Sequence, residues 1–224
     1  MTASMIHTLI LKDLYFSRPY IAMGLPAGLL SLGLVYFGNQ LGFYMGVTLL
    51  ITVVVGLGMF IIFETVINER KMQTLPFIMS LPVTPLQYLC AKLWGNLLIY
   101  FMSWGILAVA TTLVILGRDA IPNGLLPLAI LVLVELLVAH CLILAVALMT
   151  ESQGWTIGAM VVCNLFFQLF LYTVSNHPGI KPFTQSAIPV WSSMFFTFLG
   201  LLFVTATAAL SIAFWIQTRK KDFL

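Results

Sequence analysis

Six long runs of apolar residues constrain the fold of this chain more than any other feature of its sequence. A helix needs about 20 apolar residues to cross the roughly 30 Å hydrocarbon core of a membrane. The runs occupy residues 20–37, 43–67, 89–116, 125–149, 155–174 and 190–216. A transmembrane strand would instead show about ten residues of alternating polarity. The sequence therefore predicts an all-α polytopic membrane protein with six transmembrane helices.

The charge content supports the same fold class and excludes others. Only 8% of the residues are charged, whereas a soluble domain carries about 25%. The net charge of +3 is small, and the basic residues are too scattered to indicate a nucleic-acid partner. Cys90, Cys141 and Cys163 are widely spaced and form no CxxC pair, so we interpret them as small apolar residues.

Lysine and arginine predict the orientation, because they accumulate in cytoplasmic loops. With six spans and a cytoplasmic N-terminus, one side holds eight of these residues and the other holds Arg118 and Lys181. The eight are Lys12, Arg18, Arg70, Lys71, Lys92, Arg219, Lys220 and Lys221. Both termini are therefore predicted to be cytoplasmic. We expect one domain over residues 1–224, with an N-terminal segment at 1–19, a cytoplasmic segment at 68–88 and a basic tail at 217–224.

The segment at 68–88 is the longest predicted cytoplasmic connection. The second helix is expected to continue through residues 68–71 and to break before Pro76, because the residue preceding a proline disfavours helical dihedral angles. A second break is expected at Leu81–Pro82. The apolar residues between these breaks would otherwise meet water, so the segment is interpreted either as a docking element for another protein or as a membrane-surface loop.

The third helix has a start signal that precedes its apolar run. Thr84 is expected to cap this helix, Pro85 to take its first position, and Gln87 to complete a capping box. Lys92 would then extend to the lipid headgroups, as long basic side chains near a membrane surface often do.

The same segment carries a motif. Glu69–Arg70 follows the second span, then come Thr74–Leu75 and Ser80-Leu81-Pro82-Val83-Thr84, and Ala91–Lys92 opens the third span. This pattern, about 25 residues long, resembles the permeases of ABC type-2 exporters, and the six-span topology extends the resemblance over the chain. The resemblance implies that Glu69, Arg70, Thr74, Leu81 and Pro82 couple the permease to an ATPase.

The resemblance also implies the partners. Such a permease dimerises with an identical or related chain in a bacterial-type cytoplasmic membrane, and binds two ATPase subunits at its cytoplasmic face. ATP and Mg²⁺ would be bound by the ATPase, since this chain has no G-x-x-x-x-G-K-[ST] phosphate loop. We therefore expect no catalytic activity and no cofactor in this chain. The resemblance further implies a short interfacial helix in residues 1–19, because they precede the first span, where the family has such a helix.

Three ionisable residues are predicted within the spans, where such groups are costly and usually face the bundle interior or a cavity. Glu64 is near the inner end of the second span and is expected to be solvated or paired with Arg70 or Lys71. Glu135 and His140 lie in the fourth span on different faces of the helix, because five residues correspond to about 140°. Either a transport pathway or structural packing would explain the two residues.

Three other functions fit a chain of this kind. A haem-export-type permease of cytochrome maturation has a similar length and span count, but the motif favours the general type-2 family. A secondary transporter driven by an ion gradient would be expected to show internal repeats and more charges at mid-membrane, and neither is evident in the sequence. A membrane-embedded enzyme is the third alternative.

Overall fold

A computed structural model describes the backbone of residues 2–71 and 85–219 and the side chains of residues 6–69 and 86–219. Every regular element in these ranges is helical. The elements are α1 (Thr2–Phe37), α2 (Gln40–Ile62), a π-helical turn (Phe63–Ile67), α3 (Asn68–Lys71), α4 (Pro85–Gly117), α5 (Leu126–Thr150), α6 (Gln153–Asn176) and α7 (Ser193–Arg219). Within the described residues, six helices are long and apolar enough to cross a membrane, so the predicted all-α fold with six long apolar helices is confirmed.

The structure does not support a separate interfacial helix in residues 1–19. Instead, α1 runs without a break from Thr2 to Phe37, and its 36 residues make it about 54 Å long. Pro19 and Pro26 lie inside this helix, as membrane helices tolerate. The side chains of Asp13 and Ser17 are almost fully buried. The N-terminal part of α1 is therefore packed into the helical bundle.

The predicted continuation of the second helix is confirmed as far as Lys71. A feature that the sequence did not predict is the π-helical turn at Phe63–Ile67, where the Asn68 amide donates to the Phe63 carbonyl. Such a turn is wider than an α-helical turn and rotates the side chains that follow it. The expected breaks at Pro76 and Leu81–Pro82 lie outside the described residues, but α4 does begin at Pro85.

The spanning helices pack as two groups of three. In the first group α1 lies against α2 and α4, and in the second α5 lies between α6 and α7. Contacts of α5 with α2 and α4 join the groups. In an 18-residue apolar stretch of α5, 56% of the residues are buried, whereas the shares in the corresponding stretches of α6 and α7 are 11% and 6%. Large apolar side chains on α6 and α7 thus face outward, as they do in helices that contact lipid.

The two ends of the bundle differ in character. One end carries the start of α1, α3 and the start of α4, and we call it the charged end. The other end carries residues 38–39, 118–125 and 177–192, and we call it the loop end. There, the Arg118 guanidinium donates to the Val35 and Gly38 carbonyls at the end of α1. Residues 177–192 fold over α5, because the Gly124 amide donates to the Ser186 carbonyl (2.9 Å).

The orientation of the bundle stays a prediction of the charge asymmetry, with the charged end cytoplasmic. We expect an impermeant thiol reagent to leave a single cysteine at position 2 or 222 unlabelled in intact cells, and to label it after permeabilisation. A cysteine at Gln185, in the opposite loop, is the matched control and should label in intact cells. The background should lack the three native cysteines. The reverse pattern of labelling would mean that the chain is inserted the other way round.

Candidate functional site

The predicted coupling residues fall only partly within the described structure. Glu69 lies in α3 and its side chain is 9% exposed. The backbone of Arg70 is helical, but its side chain lies outside the described residues, as do Thr74, Leu81 and Pro82. Glu69 is therefore the residue from which the site can be built.

Glu69 belongs to a group of side chains that we call the charge cluster: Lys12, Asp13, Glu69, Tyr88 and Lys92. Asp13, Glu69 and Lys92 are buried, whereas Lys12 and Tyr88 are half-buried. The Lys92 ammonium lies 2.8 Å from Asp13 Oδ1 and 2.7 Å from Glu69 Oε1. Lys12 donates to Glu69 Oε1, and the Tyr88 hydroxyl donates to Glu69 Oε2 at 2.9 Å. The cluster therefore joins α1, α3 and α4 at the charged end.

Lys92 was expected to reach the lipid headgroups, and that expectation is wrong. Its side chain is 1% exposed and its ammonium bonds both Asp13 carboxylate oxygens (2.8 and 2.9 Å). An isolated buried charge costs several kcal/mol, and a close partner of opposite charge offsets much of this cost. The two carboxylates of α1 and α3 supply that partner, so burial between the helices is more favourable for Lys92 than extension to the surface.

The ionisation of Glu69 reflects these neighbours. Burial by itself would raise the pKa of its carboxyl group, but the nearby Lys92 and Lys12 ammonium groups and their hydrogen bonds outweigh burial and hold the pKa below its ordinary value. The cluster contains two basic and two acidic side chains, so their formal charges balance. The charge cluster thus connects three helices through ion pairs and hydrogen bonds.

Sequence analysis singled out Glu69 and missed the role of its partners. Lys12 and Asp13 lie 57 and 79 residues from their respective partners, Glu69 and Lys92, and spacing does not predict contacts over such distances. One signal was present. Residues of opposite charge adjoin the first and third spans of a chain in which only 8% of residues are charged, and such residues pair with one another at membrane depth.

Glu64 lies in the π-helical turn and is half-buried. It accepts hydrogen bonds from the Tyr20 hydroxyl (3.2 Å) and from the Asn68 side-chain amide (2.9 Å). The expected partners Arg70 and Lys71 have side chains outside the described residues, so that pairing stays a prediction. The observed contacts attach the π-helical turn to α1, close to the charge cluster.

His140 lies at the centre of the bundle, in a stack with Tyr100. The two rings are 3.8 Å apart between centroids and inclined by 14°, and both side chains are almost fully buried. Gly58 of α2 faces the stack, because a Cβ atom at that position would lie 2.7 Å from His140 Nδ1. The lack of a side chain at Gly58 is thus what admits the imidazole ring. His140 thus packs against α2 and α4, and its place in a transport pathway stays a prediction.

Glu135 is also buried, at 7% exposed, on α5. Within residues 6–69 and 86–219, no hydrogen bond reaches its Oε2 atom, and the structure gives no contact between Glu135 and His140. The Oε2 atom therefore has no hydrogen-bond partner within that part of the chain. Among the described residues, no group of three or more His, Cys, Asp or Glu side chains is arranged to hold a metal ion.

Comparisons of the chain with protein-family models, with curated proteins and with solved structures found no match.

Proposed function

We propose that this chain is the transmembrane subunit of an ATP-driven exporter of the ABC type-2 kind. The observation that carries the proposal is the charge cluster, in which Glu69 at the start of the coupling segment bonds Lys12 of α1 and Lys92 of α4. The motif of residues 69–92 and the six spans support the same conclusion.

The cluster offers a mechanism for coupling. A partner that displaces segment 68–88 would move Glu69, and this residue cannot move away from Lys92 without separating buried opposite charges. Movement of the segment would therefore be transmitted to α1 and α4 together. These helices belong to the same group of three, so the cluster couples a surface event to a shift of that group against α5–α7.

The proposal includes the partners and the membrane. A separate ATPase would bind ATP and Mg²⁺ and dock at segment 68–88, which places the charged end in the cytoplasm. A second permease chain would complete the transporter in a bacterial-type cytoplasmic membrane, and alternating access between the two would move the substrate outward. This chain would supply no catalytic group.

The test is coexpression with the ABC ATPases of the source organism, beginning with any that is encoded beside this chain. The two chains should copurify in detergent, and the complex should hydrolyse ATP, whereas the purified permease alone should not. A Walker-A lysine variant of the ATPase is the control for its contribution to hydrolysis. ATP hydrolysis by the permease alone would contradict the proposal, as would the failure of every coexpressed ABC ATPase to bind it.

An Arg70→Glu variant tests the coupling segment. Reversal of this charge should reduce the amount of ATPase that copurifies about tenfold, or should uncouple ATP hydrolysis from transport. The new carboxylate would repel the acidic surface of the ATPase that an arginine attracts. Membrane insertion should be unchanged. Arg219→Glu, a reversal at the same end but outside the motif, is the matched control. Full assembly and transport by Arg70→Glu would return segment 68–88 to a membrane-surface loop.

A Glu135→Gln variant decides between the pathway and packing roles of the buried carboxyl group. If Glu135 lines the pathway, transport should fall about tenfold or more while the complex still assembles and hydrolyses ATP. The amide keeps the size of the side chain but cannot ionise, so packing is preserved. Glu64→Gln at the charged end is the comparison variant. Unchanged transport would make Glu135 a structural residue.

A further inference from the structure

Two neighbouring cavities lie at the loop end of the bundle. The first is open to the surface, has a volume of about 480 Å³, and includes the polar side chains of Asn39, Gln40, Arg118, Thr184 and Gln185 in its wall. It is bordered by the α1–α2 turn, the α4–α5 connection and residues 177–192. Arg118 is the one cation in that wall.

The second cavity lies deeper between α1, α2, α4 and α5. Its volume is about 210 Å³ and its surface is entirely apolar, because the hydroxyl of Thr111, its one polar residue, donates to the Leu107 carbonyl. It exceeds the roughly 150 Å³ of an apolar cavity that stays dry and binds benzene. Phe43 and Leu125 line both cavities, so a polar pocket and an apolar pocket share one wall.

Arg118 supplies a fixed positive charge at the mouth of the pair. Its guanidinium is held by the Val35 and Gly38 carbonyls, and a guanidinium has five donors, so three remain. The partial negative charge at the end of α1, about −0.5, offsets only part of its charge. No carboxylate within residues 6–69 and 86–219 pairs with Arg118, and the adjacent Asp119 is not part of the cavity wall.

The geometry points to a binding site for an anionic amphiphile with a single alkyl chain. Its phosphate or carboxylate head would bind Arg118, which recognises such groups with paired hydrogen bonds, and the neutral polar side chains would surround it. Its chain would pass between Phe43 and Leu125 into the apolar cavity. This site goes beyond the proposed coupling to an ATPase and does not depend on it, because it belongs to this chain alone.

The test uses the full chain in nanodiscs of phosphatidylcholine and a diazirine-bearing dodecyl phosphate as a photolabel. Label should be found by peptide mass spectrometry in residues 43–51 and 125–136. Unlabelled dodecyl phosphate should compete with the photolabel at a concentration about tenfold or more below that of dodecanol, since its phosphate gains at least one charge-assisted hydrogen bond. Inorganic phosphate should not compete at the same concentration.

Variants separate the head from the chain. Arg118→Gln should lower the affinity for dodecyl phosphate to that for dodecanol, whereas Lys181→Gln, at the same end but outside both cavities, should change neither. Ala129→Phe should fill the apolar cavity and abolish labelling. Because this variant retains Arg118, it tests the proposal even if Arg118→Gln does not fold. Equal competition by dodecanol, competition by inorganic phosphate, or undiminished labelling of Ala129→Phe would each overturn the proposal.

Discussion

A Lys92→Met variant is expected to lose most of its folded, monodisperse population in detergent. Methionine fills a similar volume but removes the cation that lies between Asp13 and Glu69, at 2.8 and 2.7 Å. Removal of one partner of a buried ion pair costs about 3–5 kcal/mol, because a charge is left buried without compensation. For a chain of this size that cost corresponds to a fall in the unfolding midpoint of at least about 6 °C. Size-exclusion chromatography after stepwise heating would measure it.

A second substitution in the same cluster provides the rescue. Lys92→Met combined with Asp13→Asn leaves Lys12 and Glu69 as a balanced pair, so this double variant should be more stable than Lys92→Met alone. Lys181→Met is the matched control. Its ammonium bonds an exposed side-chain amide at 3.2 Å, and substitutions at such positions change stability by no more than about 0.5 kcal/mol. If Lys92→Met and Lys181→Met have the same unfolding midpoint, the cluster contributes nothing to the stability of the fold.

A Gly58→Leu variant is expected to destabilise the packing of α2 against α4 and α5. The new side chain would start 2.7 Å from His140 Nδ1 and 3.1 Å from Tyr100 Cε2. The imidazole cannot retreat, because it is stacked on the Tyr100 ring. Overpacking of a tight interior costs about 1–3 kcal/mol, occasionally more. Leucine has three more carbon atoms than the Cβ alone, which places the expected loss at the upper end of that range.

Gly56 offers the matched control two residues away. A Cβ atom there would meet nothing within 4 Å in the described structure, so Gly56→Leu should leave the unfolding midpoint nearly unchanged. His140→Ala should recover much of the loss in Gly58→Leu, since substitutions at contacting positions are coupled. Equal midpoints for the two leucine variants would mean that α2 and α5 do not approach each other at Gly58.

The spans and several helix ends could be predicted from the sequence. Apolarity is a property of each residue, and the bilayer fixes how many must follow one another, so residues 125–149 correctly indicated α5 without knowledge of its neighbours. The start of α4 at Pro85 could also be predicted from the local sequence, because proline suits the first position of a helix. The separate interfacial helix was not found, because the residues before Pro19 continue α1, and one face of them, which includes Leu9, Asp13 and Ser17, is buried against other helices.

By itself, therefore, the sequence determined the number and approximate positions of the six long apolar helices, and it marked Glu69 as the start of a predicted cytoplasmic segment. Only the tertiary structure decided what surrounds Glu69, why Lys92 is buried, and that Gly58 admits the ring of His140. The physical reason is that these features depend on which helices adjoin and how each is rotated about its axis. In an apolar environment neighbouring helices gain little from hydrophobicity, and close packing and a few buried polar contacts set their arrangement. Those contacts join residues far apart in the sequence, such as Asp13 and Lys92 at 79 positions, so no local pattern predicts them.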